Sequence, residues 1–109
     1  MSFDEHMTRL EKGMTEFMPH GGYTEKDVES CMEIMRSYYN SLQLAKTKEE
    51  ARSVIEKTTC SLNILNERCD YSLIETDQRE DICVAIRKSS NKFGFNDSME
   101  DLTEEWRDW

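Results

Sequence analysis

Residues 73–87 read LIETDQREDICVAIR, and the reading of this stretch decides the fold. Thr76 or Asp77 stands where an N-cap is needed, and Glu80 follows Asp77 by three in the capping-box position. Behind that cap Ile82, Cys83 and Ile86 recur at the three-to-four spacing of one helix face. Four carboxylates, Glu75, Asp77, Glu80 and Asp81, crowd the helix start, where free N–H groups favour negative charge. The stretch is therefore a capped amphipathic helix start whose apolar side must be covered by other elements.

Those elements lie on both sides of it. Upstream, Thr47 and Glu50 form a second capping box and imply a tight hairpin into a helix over 48–69. Its seam is Ala51, Ile55, Thr58, Leu62, Leu65 and Cys69, widened by Val54 and Ile64. A helix over 24–45 precedes it, opened by Thr24 with Asp27 three on. Val28, Cys31, Met35, Tyr39 and Leu42 mark its core face, broadened by Met32, while Ile34 and Tyr38 lie to one side as a second contact surface. The run Pro19-His20-Gly21-Gly22 punctuates the chain before that. A first helix over 2–18, capped by Ser2, carries the seam Phe3, Met7, Leu10, Met14 and Met18 and is expected to dock, because the seam needs a partner.

Downstream, the organising helix runs over 77–93, with Gly94 as its left-handed stop and Lys88 and Lys92 at the negative end of its dipole. Ser98 is placed to cap a short fifth helix over 98–108, with Met99, Leu102, Trp106 and Trp109 on one face. The expectation is an all-α, single-domain, antiparallel four-helix-bundle-like fold over residues 1–109 with a short C-terminal fifth helix.

The formal net charge of −9, from 23 acidic against 14 basic residues, argues against direct nucleic-acid binding, since Lys and Arg supply the affinity for phosphates. It argues equally against an anionic membrane surface and for a basic protein partner. The amino terminus lacks a basic region followed by an apolar run, and no stretch approaches the roughly 20 apolar residues of a membrane span. A cytoplasmic protein with reduced thiols is expected. Cysteines 31, 60, 69 and 83 stand alone, without a Cys-x-x-Cys pair, and read as small buried apolar residues.

No catalytic, cofactor or metal constellation emerges. His6 and His20 lack partners at ligand spacing, and neither a nucleophile elbow nor a glycine-rich phosphate loop is present. The cluster Glu75, Asp77, Glu80 and Asp81 is the one set of acids suited to acid/base work, yet with Arg79 among them they read as solvated and helix-stabilising. Residues 97–109 hold six acids and one Arg, while 87–92 hold Arg87, Lys88 and Lys92 and no acid. The acidic tail either folds back on that basic patch or faces outward. A candidate interaction surface follows: Glu75, Asp77, Glu80 and Asp81 together with Glu100, Asp101, Glu104, Glu105, Trp106 and Trp109. The two tryptophans either anchor a partner or clamp over the bundle itself.

From Thr59 onward the chain resembles small bacterial all-helical proteins built on a domain of unknown function. The resemblance rests on Leu65-Asn66-Glu67, LIETDQRE at 73–80, Gly94-Phe95 and TEEWRDW at 103–109, about half the chain. It implies a bacterial, helical, non-enzymatic protein and carries over no site residues. The expected function is a protein–protein interaction module, an inhibitor or immunity-like protein neutralising a basic partner. The alternatives are an acidic DNA mimic and a small carboxylate-dependent enzyme. The off-seam residues Ile34, Tyr38 and Ile64 leave a homodimer open.

Overall fold

Three helices begin where a side chain satisfies the first free N–H groups. In the computed structural model, which describes residues 1–97 and 99–109, α1 spans Phe3–Phe17. The Ser2 hydroxyl accepts from the Glu5 N–H at 3.1 Å, and the Glu5 carboxylate accepts from the Ser2 N–H at 3.0 Å. Helix α2 spans Glu25–Leu44, where the Asp27 carboxylate accepts from both the N–H and the hydroxyl of Thr24. Helix α3 spans Lys48–Arg68, with the Thr47 hydroxyl accepting from the Glu50 N–H at 3.1 Å. All four helices lie within a residue of their expected bounds.

Helix α4, Thr76–Lys92, starts differently from the sequence reading. Neither Thr76 nor Asp77 caps it. Glu75 occupies the N-cap position without a side-chain bond, and its carbonyl accepts the Arg79 N–H at 2.8 Å. The reason lies upstream, where Leu73 and Ile74 are buried and the Ile74 N–H donates to the buried Asn66 amide at 3.0 Å. That anchor fixes the entry of the chain before any capping side chain can choose it. At the other end Gly94 is left-handed, φ 80°, and the N–H groups of Gly94 and Phe95 close back onto Asn91 and Ser90.

Helix α1 packs chiefly along α4, α2 along α3, and α1 also meets α2. Gly13 faces α4, where a Cβ would stand 3.0 Å from the end of the flexible Gln78 side chain. A 3₁₀ turn over Met18–His20 ends α1, and the Tyr23 hydroxyl donates to the Met14 carbonyl at 2.6 Å. The interior is built from Leu10, Met14, Met35, Leu42, Ile55, Leu62, Ile82 and Ile86, all fully buried. The docked first helix and the bundle-like all-helical architecture agree with expectation. No helix among the described residues is long and apolar enough to cross a membrane.

Tyr38 is a correction. Rather than sitting on a second contact surface, it is 1% exposed, with its hydroxyl 2.7 Å from the Ser89 hydroxyl and 3.2 Å from the Ile86 carbonyl. A phenol can occupy a core when its O–H is satisfied, and α4 supplies the partners. Cys60 also departs from the buried reading, being exposed, while Cys83 is half-buried.

Among the described residues the short fifth helix does not form. Residues 102–106 form turns, with the Thr103 carbonyl accepting from the N–H groups of Trp106 and Arg107. The Asp101 carboxylate captures the N–H and hydroxyl of Thr103 at 2.9 and 2.6 Å, a local bond that competes with helix propagation. A segment of about ten residues also nucleates a helix poorly. The proposed cap at Ser98 lies outside the described residues.

Candidate functional site

The acids that the sequence groups at the α4 start are divided by the fold. Glu75, Asp77 and Glu80 are exposed, whereas Asp81 is buried, so Asp81 leaves the expected solvated surface. Helix phase explains this: Gln78, Asp81, Ile82, Ala85 and Ser89 are all buried and follow the helical period, a polar extension of the apolar stripe facing α1. Asp81 meets two α1 residues there, Arg9 with Nε at 3.5 Å and His6 with Nδ1 at 3.8 Å. Neither of the two principal cavities is lined by any of Glu75, Asp77, Glu80 or Asp81.

The tail bonds to α3 and α4, and none of its carboxylates lies within 4.0 Å of Arg87, Lys88 or Lys92 among the described residues. Glu105 pairs with Arg52, whose guanidinium also lies 5.0 Å from the Trp106 ring centroid. The Asn63 amide donates to the Trp106 carbonyl at 2.7 Å and accepts from the Asp108 N–H at 3.2 Å. Trp106 and Trp109 are half-buried and pack against the protein's own core, while Met99 is exposed. Glu100, Glu104 and Glu105 remain exposed; Asp101 is half-buried. The candidate surface therefore separates into an acidic α4 start, an acidic tail rim and a self-packed tryptophan pair.

Beneath that tail lies a grouping not legible in the sequence. Arg107 donates to the Asp101 carboxylate at 2.7 Å and approaches the Cys83 sulfur at 2.9 Å. Burial opposes the Asp101 charge, but the Thr103 bonds and Arg107 outweigh it and hold its pKa below the usual range. Burial pushes the Cys83 thiol up, with Thr103 and Arg107 acting against the rise. A thiol so held is protonated at neutral pH and a weak nucleophile.

His6 is the second grouping that sequence reasoning missed, although it lies in helical phase with Leu10. It is 5% exposed, and neither ring nitrogen has a hydrogen-bond partner. Burial, and next the Lys88 cation, lower its pKa from the ordinary 6.5, against the opposing pull of Asp81. The ring is neutral at pH 7, so the approach to Asp81 is no ion pair. An unfolded chain takes up the proton below pH 6.5 while the folded one resists it, so this contribution to stability is complete above pH 6.5 and falls as pH drops through the lowered folded value. Thermal melting between pH 7 and 5 should fall more steeply for the wild type than for His6→Gln; equal slopes would contradict the assignment.

No group of three or more His, Cys, Asp or Glu side chains placed to hold a metal ion occurs among the described residues. Comparison of the chain with protein-family models, with curated proteins and with solved structures gave no match.

Proposed function

We propose that the chain is a non-enzymatic protein–protein interaction module, an inhibitor or immunity-like protein that docks a basic partner in the cytoplasm. The observation that carries the reading is uncompensated charge. Of the 23 acidic residues, only Glu16, Asp81, Asp101 and Glu105 lie within 4.0 Å of a basic group among the described residues. Glu75, Asp77 and Glu80 stand exposed together at the start of α4, and Glu100 and Glu104 are exposed on the tail. Unpaired surface carboxylates raise encounter rates with a positively charged surface and gain their full Coulomb term only in the complex. The tryptophans contribute rigidity behind the acidic rim, being packed on the body of the protein.

The test is affinity capture from the native host by the full chain and by the triple variant Glu75→Gln, Asp77→Asn, Glu80→Gln, followed by titration of the captured protein. A basic protein should be retained at low salt, released as the Debye length shrinks below about 5 Å, and bound roughly tenfold more weakly by the variant. Retention of no basic protein, or equal affinity for both chains, would end this reading.

A further inference from the structure

A cavity of about 610 Å³ opens where the first turn of α1 meets α2 and α4. It lies within the size range of small-molecule sites. Its wall has a charge opposite to that of the chain. Arg36 from α2 and Lys88 and Lys92 from α4 line it, against the single carboxylate of Asp4. None of these three cations lies within 4.0 Å of a carboxylate among the described residues, although the chain carries a net −9. Cations gathered on one wall repel one another unless an anion lies among them.

Two further features point the same way. The cavity takes in Phe3 and Asp4, the first residues of a 15-residue helix, whose N–H groups precede the first intrahelical acceptor and favour an anion. His6 also forms part of the wall, buried and with both ring nitrogens unpartnered. Its Nδ1 lies 3.8 Å from the Asp81 carboxylate, beyond hydrogen-bond distance, so the ring is not committed to that partner. Phe3 and Tyr39 add an apolar wall, their rings edge to face at 4.3 Å.

We infer that this cavity binds a small organic phosphate, with Arg36, Lys88 and Lys92 around the phosphate and the Phe3 and Tyr39 rings beside the organic part. A guanidinium offers paired N–H donors matched to phosphate oxygens, and ammonium groups supply point charge around them. The site is independent of the acidic surface proposed for the protein partner, since it uses none of Glu75, Asp77, Glu80, Glu100 or Glu104.

The experiment is a titration of the full chain followed by NMR, with inorganic phosphate, adenosine monophosphate and adenosine as probes. Phosphate and adenosine monophosphate should give saturable shifts of the His6 ring and of the Phe3 and Asp4 amides, with the nucleotide binding more tightly because its ring meets Tyr39. Adenosine should give none. Arg36 and Lys88 are exposed, so Arg36→Gln and Lys88→Gln should keep the fold, checked by circular dichroism, and each lower affinity about tenfold, the loss of one charge-assisted hydrogen bond. The inference is overturned if neither anion gives saturable shifts up to about 10 mM, weaker than any specific site of this kind. It is equally overturned if Arg36→Gln and Lys88→Gln both bind like the wild type, or if adenosine binds as well as its monophosphate.

Discussion

Leu10→Ala is expected to lower the free energy of unfolding by about 2–5 kcal/mol, the range for emptying a closed leucine site. Leu10 is fully buried in the middle of α1, on the side that lies along α4. The pinning of Met14 by the Tyr23 hydroxyl restrains the helix from collapsing into the space left behind. The loss therefore belongs in the upper half of the range. Against a total stability of about 5–15 kcal/mol for a domain of this size, it removes a large fraction. Urea unfolding should show a lower midpoint with an unchanged slope, and Leu44→Ala, 78% exposed, should stay within about 0.5 kcal/mol of the wild type. A change below 1 kcal/mol at Leu10 would mean that α1 rests loosely on the bundle.

That expectation can be drawn because the apolar seam of α1 is legible in the sequence: Met7, Leu10 and Met14 are all buried as their spacing demands. The helix starts at Ser2, Thr24 and Thr47 are legible for a local reason, since a cap involves residues three apart. What was hidden was non-local. The α4 start is fixed by Asn66, eight residues upstream of Ile74, and a cap pattern read within residues 73–87 has no access to it. Likewise His6 and Asp81 meet only after α1 docks on α4, and each alone looks like a surface residue. A usable signal existed in helical phase, because Asp81 precedes Ile82 and stands four before Ala85, on the stripe rather than opposite it.

The tail failed for a different reason. Of the face Met99, Leu102, Trp106 and Trp109, the period marks the side that packs at three positions, since Leu102 is buried and both tryptophans lie against the core, but not at Met99, which is exposed. The period does not distinguish a helix from an irregular segment with the same contacts. Side-chain bonds decide that, and they come from Asp101 to Thr103 and from Arg52 and Asn63 on α3. For the proposed docking to a basic partner, the tryptophans are half-buried against the core and the exposed carboxylates Glu100, Glu104 and Glu105 are the tail groups available.

Arg107→Ala is expected to lower stability by about 2–3 kcal/mol and to make Cys83 reactive without unfolding the bundle. One guanidinium nitrogen lies 2.7 Å from Asp101, 2.9 Å from the Cys83 sulfur and 3.3 Å from the Thr103 hydroxyl, and the group sits 5.5 Å from the Trp109 ring centroid. Removing it leaves the half-buried Asp101 carboxylate without its cation, a loss of about 1.5–3 kcal/mol for a charged hydrogen bond, with the ring contact adding about 0.5–1 kcal/mol. Residual solvent access at Asp101 keeps the total below that of a fully buried pair. Leu102 is the one residue of residues 99–109 in the buried core. The tail's other ties are its bonds to α3 and to Cys83 and the packing of its tryptophans, whereas α1, α2, α3 and α4 supply nearly all the rest of the core, so the tail should open first as a local unit. Helicity measured by circular dichroism should be retained, tryptophan emission should shift to the red, and a thiol reagent should modify Cys83 faster than in the wild type, with Cys83→Ser identifying the site. If the variant unfolds as one cooperative step with no gain in thiol reactivity below its midpoint, the tail is part of the core, and the acidic rim of Glu100 and Glu104 is as rigid as the helices beneath it.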